Sequence, residues 1–509
     1  MVKHAATVRI GSLLLIALLV GVFTVRDYGE SWDEADNFRY ADYAIQSYRY
    51  FFHPADLPQF ETDLNLKGPA YFMFAEAVAG IMTRAIPAWS VIEARHFIDF
   101  VTFLAGGLMI YLLSRRWVSE MAALGATTLF LTQPLLWGHA FINPKDIPFV
   151  MLFSASVATG LRMVDQYGRG RLFRLQLLLA SVLLGIATSV RVVAPFAALI
   201  VFGYGLWKLK RNVILLAIPY AAIAMLTTYL TWPYLWSSPI AHFLQSAHTM
   251  SDFPFATLIL FEGHLYKAAQ LPRSYFPTLL TLQLTEPMLI LLALGLVACI
   301  RLWSRQQYRE PAALFIAWFL IPVVLIIGYG SPLYDNGRQL YFLLPPLFVL
   351  AGVALDAVFA LLARPWFNAA VTIAAVLPGL LLGIRLHPYE YVYYNILTAG
   401  TGGAYRKFEM DYWGISLMEL TTRLNALAAR DARVLVFGPE QIVSAYARPD
   451  IQVAIPRETA AAGYDYVMLL TRENLDERRC KGAVTVDEIE RRGAVFAILK
   501  RIPSGVECE

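Results

Sequence analysis

The 509-residue chain is 58% hydrophobic and 16% charged, whereas a soluble protein carries about half and a quarter, so an ordinary water-soluble enzyme is excluded. Its formal net charge of +4 is too small over this length to imply nucleic acid as a partner. A mean hydropathy of +0.53, with repeated uncharged runs of about 20 residues, the length that spans a bilayer, makes lipid the solvent for most of the chain.

In chain order, residues 8–25 are apolar behind Lys3 and Arg9, with no small-residue cleavage site before Arg26-Asp27, so they predict an uncleaved first helix. Further runs of spanning length lie near 96–113, 118–138, 147–163, 173–190, 192–207, 213–231, 278–300, 311–329, 340–362 and 367–385. With the first, these give about eleven transmembrane helices. The shorter run 69–83 is read as a helix lying along the interface. On that reading Arg115-Arg116, Arg162, Arg169, Arg171, Arg174, Lys208, Lys210, Arg211, Arg301, Arg305, Arg309 and Arg364 all fall on the side of Lys3 and Arg9, as the positive-inside rule requires. A full crossing at 69–83 would put Arg115-Arg116 on the wrong side. The amino terminus is therefore expected in the cytoplasm, and segments 26–95, 139–146, 232–277, 330–339 and 386–509 outside.

From about 387 the composition changes. Short β-type runs such as Val434–Phe437 and Tyr466–Leu470 alternate with charged helical stretches, predicting a small exterior α/β domain over 386–509 beside a transmembrane domain over 1–385. Cys299 lies in an apolar run, and Cys480 and Cys508 stand near the end; they make neither a CxxC metal site nor a disulfide framework, and a Cys480–Cys508 bridge is left open. There is no internal repeat.

The unusual polar residues collect on the expected outer side. Glu30-Ser31-Trp32-Asp33-Glu34-Ala35-Asp36 places four carboxylates within seven residues, either a hydrated loop held by cations or a base at a cavity mouth. In Asn143-Pro144-Lys145-Asp146-Ile147-Pro148, Asp146 either caps the next helix or faces the same cavity as Asp33. Lys67, Arg191 and Arg338 are cations on that side, and Arg191 at a membrane boundary must snorkel or pair. Such acids and bases on one face suit an anionic lipid whose phosphate meets Lys67 and the arginines while a carboxylate does proton work. No P-loop or dinucleotide fingerprint is present. The eight histidines do not cluster, and no zinc site is assigned. Trp232, Tyr234, Trp236, Tyr266, Tyr275 and Phe276 can stack on sugar rings, although an interfacial aromatic belt is the simpler reading.

The order of these parts is familiar: a first span, an acidic loop at Asp33-Glu34, an Asn-Leu-Lys-Gly-Pro stretch opening an interfacial helix, a second acidic loop at Asp146, and Tyr334-Asp335-Asn336-Gly337-Arg338 before Tyr341-Phe342-Leu343-Leu344-Pro345-Pro346. Over 1–385 it resembles the GT-C superfamily, more narrowly the bacterial relatives of the protein O-mannosyltransferase family (glycosyltransferase family 39) and the lipid A aminoarabinose transferase. The resemblance implies a multi-pass bacterial inner-membrane glycosyltransferase that moves a sugar, with inversion, from a polyprenyl-phosphate donor to a protein, lipid or glycan acceptor on the periplasmic face. It implies Asp33 as catalytic base with Glu34 in support, Asp146 as the second acidic motif, and Lys67, Arg191 and Arg338 as ligands of the donor phosphate. Asn65-Leu66 stands where relatives often have Glu directly before the lysine. No cofactor is assigned, and a role for a divalent cation is left open. The competing reading is a lipid-linked sugar transporter or flippase, but such proteins show repeated halves and mid-membrane ionisable groups.

Overall fold

In the computed structural model of the chain, the described residues are 2–60, 62–253, 255–362, 364–456, 463–503 and 508, with the side chains of residues 2–5 outside them. Each of the eleven apolar runs is helical, yet among the described residues only eight helices are long and apolar enough to cross a bilayer unbroken, or nine if one bent pair is counted as a span. The difference from eleven has local causes. The expected 118–138 run is two short helices, Glu120–Leu131 and Pro134–Ile142, because a proline disfavours helical backbone in the residue before it and Gln133 is extended, with ψ of 114°. The 278–300 run is Tyr275–Gln283 and Glu286–Arg301, bent by 111° at the break. The 192–207 and 213–231 runs form one 36-residue helical stretch, Pro195–Leu230, broken at Lys210, whose φ is 51°. Its first half packs on Asp146–Asp165 and its second on Arg171–Val190.

The 69–83 run is the 16-residue helix Ala70–Ala85, which is about 24 Å long and falls short of a hydrocarbon core of about 30 Å. A small hairpin follows the central helices: β1 (Ile259–Phe261) and β2 (His264–Tyr266) pair antiparallel.

The tail carries a five-stranded sheet of β3 (Arg433–Phe437), β4 (Gln452–Ala454), β5 (Tyr466–Leu470), β6 (Val484–Arg491) and β7 (Ala494–Arg501), in the order β4-β3-β5-β7-β6. Strand β3 is parallel to β4 and β5, while β7 is antiparallel to β5 and β6. Alternation of side chains along a strand splits the central strands. Val434, Val436, Met468 and Leu470 join the main core, which also holds the transmembrane helices. Leu435, Val467 and Leu469 cover the other face with the Cys480–Cys508 disulfide. Strands β3 and β5 are thus buried on both sides, which explains their continuous apolar runs.

A polar knot ties the first span to the last. The Tyr28 hydroxyl donates to Glu390 at 3.0 Å, His387 Nδ1 lies 2.8 Å from Glu390, and His387 Nε2 lies 2.9 Å from Asp27. Burial alone would lower the pKa of His387, but hydrogen bonds and charge from Glu390 and Asp27 push it up to about 9. A group that binds its proton more tightly when folded stabilises the fold most at low pH. That contribution is complete below the ordinary histidine value of about 6.5 and is lost as pH rises through about 9. The thermal midpoint of the purified protein in detergent is therefore expected to fall from about pH 7 to about pH 10, and His387→Gln to flatten that fall. An equal fall in the variant would show that the knot is not its source.

Candidate active site

One cavity of about 670 Å³ opens beside the outer-side motifs, within the usual range for a small-molecule site. Asp33 precedes the helix Glu34–Ser47 but makes no capping bond to it, so its carboxylate is free to enter the cavity, where its side chain is 38% exposed. Asp33 Oδ2 accepts from Lys145 Nζ at 2.8 Å and lies 3.9 Å from Arg338 Nη2. Burial would raise its pKa, but Lys145, Arg338 and Lys67 together hold it well below the usual carboxylate range. Asp33 is therefore ionised.

Lys67 enters from the loop before the interfacial helix. A Cβ on Gly68 would lie 1.7 Å from the Ser189 carbonyl oxygen, so only glycine lets this loop press against the end of the helix that leads to Arg191. The Lys67 ammonium sits 5.0 Å over the Phe253 ring and, among the described residues, has no carboxylate in ion-pair reach. Burial, and then repulsion from Lys145, Arg191 and Arg338 with Asp33 partly opposing, push its pKa down to about 7.

Arg338 follows a turn in which Asp335, Asn336 and Gly337 all have positive φ, of 48°, 56° and 70°; glycine adopts this freely and Asp and Asn tolerate it. The turn brings Asp335 Oδ2 within 3.0 and 2.9 Å of Arg338 Nε and Nη2, and the guanidinium lies 4.4 Å over the Trp413 ring. Arg191 pairs instead of snorkelling: its Nη2 donates to Asp146 Oδ1.

Asp33, Lys67, Arg191 and Arg338 all line this cavity, whereas the other two expected site residues do not. Asp146 is 2% exposed and stands behind the wall, where its Oδ2 accepts from Arg338 Nη1 at 2.8 Å and from Asn143 Nδ2 at 2.9 Å. It neither caps its helix through its side chain nor faces the cavity; as the shared counter-charge of two arginines, it is a positioning residue. Glu34 is buried away from the cavity, its Oε2 accepting from the Ser31 N–H at 3.2 Å and lying 2.9 Å from His96 Nε2. The lining thus brings neither carboxylate to the space that Asp33 enters.

Lys145, Asp335 and Arg472 are charged lining residues that the sequence did not single out. Lys145 stood next to Asp146 in the sequence, and Asp335 lay inside the Arg338 motif. Arg472 comes from the tail, and nothing local marks it. It donates to Asp335 Oδ1 at 2.7 Å and to the Tyr412 carbonyl at 3.2 Å. Among the described residues, no group of three or more His, Cys, Asp and Glu is arranged to hold a metal.

In the lining, Lys67, Lys145, Arg191, Arg338 and Arg472 outnumber Asp33, Asp36 and Asp335, and they still exceed the carboxylates by one when Asp146 behind the wall is counted, so the polar end attracts anions. The rest of the wall includes Val192, Val193, Ile326, Leu333, Leu340 and Phe342, so an amphiphile with an anionic head fits.

A family model described as dolichyl-phosphate-mannose-protein mannosyltransferase matches residues 30–262, the stretch that holds Asp33, Lys67, Asp146 and Arg191. No curated protein sequence shows a significant match. Among solved structures, ArnT from Cupriavidus metallidurans in the apo state is similar with a TM-score of 0.54 and 14% identity over 99% of both chains. The same protein bound to undecaprenyl phosphate gives 0.53 and 15% over 98% of both. The chain is thus a multi-pass membrane protein that shares its fold with ArnT.

Removing one partner of a buried ion pair strands the other, at about 3–5 kcal/mol. Asp146→Ala, which would leave Arg191 and Arg338 without their common carboxylate, should destabilise the protein by about that much in denaturant unfolding. A loss below about 1 kcal/mol, the range of exposed pairs, would show that the carboxylate does not hold the arginines.

Proposed function

We propose that the chain is a glycosyltransferase that takes a sugar from a polyprenyl-phosphate donor and transfers it with inversion to an acceptor hydroxyl. The carrying observation is the cavity itself: a cationic end, an apolar wall, and an ionised Asp33 opening between them. The likeness to ArnT, solved with undecaprenyl phosphate, supports this, as does the family match over the acidic motifs.

In this reading the polyprenyl chain takes the apolar wall, and the phosphate meets Lys67, Arg191 and Arg338. The acceptor hydroxyl gives its proton to Asp33 as its oxygen bonds to the anomeric carbon. The bond from that carbon to the phosphate oxygen breaks, and the phosphate leaves with the electron pair. Fixed cations around a departing phosphate act where charge grows. A carboxylate stabilised by Lys145 and Arg338 is a poor base, so an arriving phosphate, competing for those cations, would restore the basicity of Asp33. The base then works only with donor in place.

The basic loops favour an inner bacterial membrane with the amino terminus in the cytoplasm and the cavity and tail in the periplasm. The Cys480–Cys508 disulfide in the tail suits that oxidising compartment.

Asp33→Asn is expected to lower transfer by about 10²–10⁴, the usual contribution of a general base, while undecaprenyl phosphate still binds. Near-normal turnover from a radiolabelled donor would exclude Asp33 as the base. Because Lys67 titrates near 7 in the empty site, it is charged below that value and neutral above. The sugar phosphodiester keeps one charge throughout, so donor affinity should weaken as pH rises through about 7, and Lys67→Arg should make it nearly independent of pH. An unchanged pH profile in that variant would remove Lys67 from the phosphate site.

A further inference from the structure

A second hollow, of about 440 Å³, lies beside the first. We propose that it is the acceptor site and that it binds a neutral carbohydrate; this rests on the transferase reading and adds the acceptor's chemical class. Among the described residues no Asp, Glu, Lys or Arg lines it, in contrast to the donor cavity. A phosphate-bearing headgroup would find no counter-charge there.

What lines it instead is aromatic rings and free polar groups. Tyr234 and His242 stack at 4.1 Å and 13°, and Phe60 lies 5.0 and 4.9 Å from the rings of Tyr40 and Tyr43. The tyrosine hydroxyls are already committed: Tyr40 donates to the Lys67 carbonyl at 3.0 Å, Tyr43 to the Pro58 carbonyl, and Tyr234 to Gln245 at 2.8 Å. Tyr40 is buried, and Tyr43, Phe60 and Tyr234 present their rings to the hollow. The side chains of Gln59, Asn65 and Ser237 have no hydrogen-bond partner among the described residues. Apolar faces joined to a few unspent amides and hydroxyls suit a sugar ring, which presents C–H groups on its faces and hydroxyls at its rim.

The hollow is also placed for the reaction. The strip Thr62–Lys67 is a common wall, with Asn65 on this side and Leu64, Leu66 and Lys67 on the donor side. The helix Glu34–Ser47 starts at Asp33 and carries Tyr40 and Tyr43 into the second hollow, ten residues or about 15 Å on. A short oligosaccharide held on those rings lies along the helix that begins at the proposed base.

The test uses the full-length protein in detergent, with maltotriose, mannotriose and chitotriose as neutral probes in saturation-transfer NMR. At least one should bind, at least tenfold more weakly to Gln59→Ala and Tyr234→Ala, while Tyr234→Phe, which keeps the ring, retains binding. All variants should bind undecaprenyl phosphate as the parent does. The proposal is overturned if none of the three binds, if the variants bind them unchanged, or if a Ser/Thr-rich peptide or a phosphorylated glycolipid binds there and loses affinity in the variants. Failure of the parent to bind undecaprenyl phosphate would instead sink the donor reading and leave the saccharide result standing.

Discussion

A carboxylate with almost no access to water must be neutralised where it stands, and Asp146 is neutralised by two arginines from distant parts of the chain. That requirement fixes three elements at once: the start of Asp146–Asp165, the end of Arg171–Val190, and the turn before Tyr341. Guanidinium groups suit the task because one edge can hold the carboxylate while the other nitrogens remain for further partners. In Arg338 those nitrogens meet Asp335 and approach Asp33. The arrangement is pre-set, and an incoming anion meets cations that have already lost their freedom and part of their hydration.

The balance is deliberately incomplete at the front. Behind the wall Asp146 is matched by two arginines, but Lys67 faces the cavity among Lys145, Arg191 and Arg338 with Asp33 only partly opposing them. Charge is thus matched where it serves structure and left unmatched where a ligand would enter. The cavity's apolar residues continue this division, since the breaks that free Val192 and Val193 from the helix Arg171–Val190 also expose their side chains to it.

Much of this was legible in order and sidedness. Asp33, Lys67, Arg191 and Arg338 share a chamber because basic loops fix which ends of the helices lie together, and the odd polar residues sit at those ends. The helical runs themselves could be read from hydropathy, although Pro134 and the bend between Gln283 and Glu286 broke what hydropathy saw as continuous. Which of two neighbours turns inward was not legible. Asp146 drew attention, yet Lys145 reaches Asp33, because the backbone entering a proline-flanked helix decides the direction and no periodicity applies there. Nor could Arg472 be found, since its partner Asp335 is 137 residues away and only the order of the tail's sheet brings them together.

That last contact has a consequence in time. A chain is made from its amino end, so every span precedes the tail into the membrane, and the cavity stands without Arg472 until β5 and the loop after it have folded. Asp335 then shifts from a carboxylate held by one arginine to one clasped between two. A nascent or truncated polypeptide would lack this second clasp, and the cationic end is complete only once the final quarter of the chain has folded and docked.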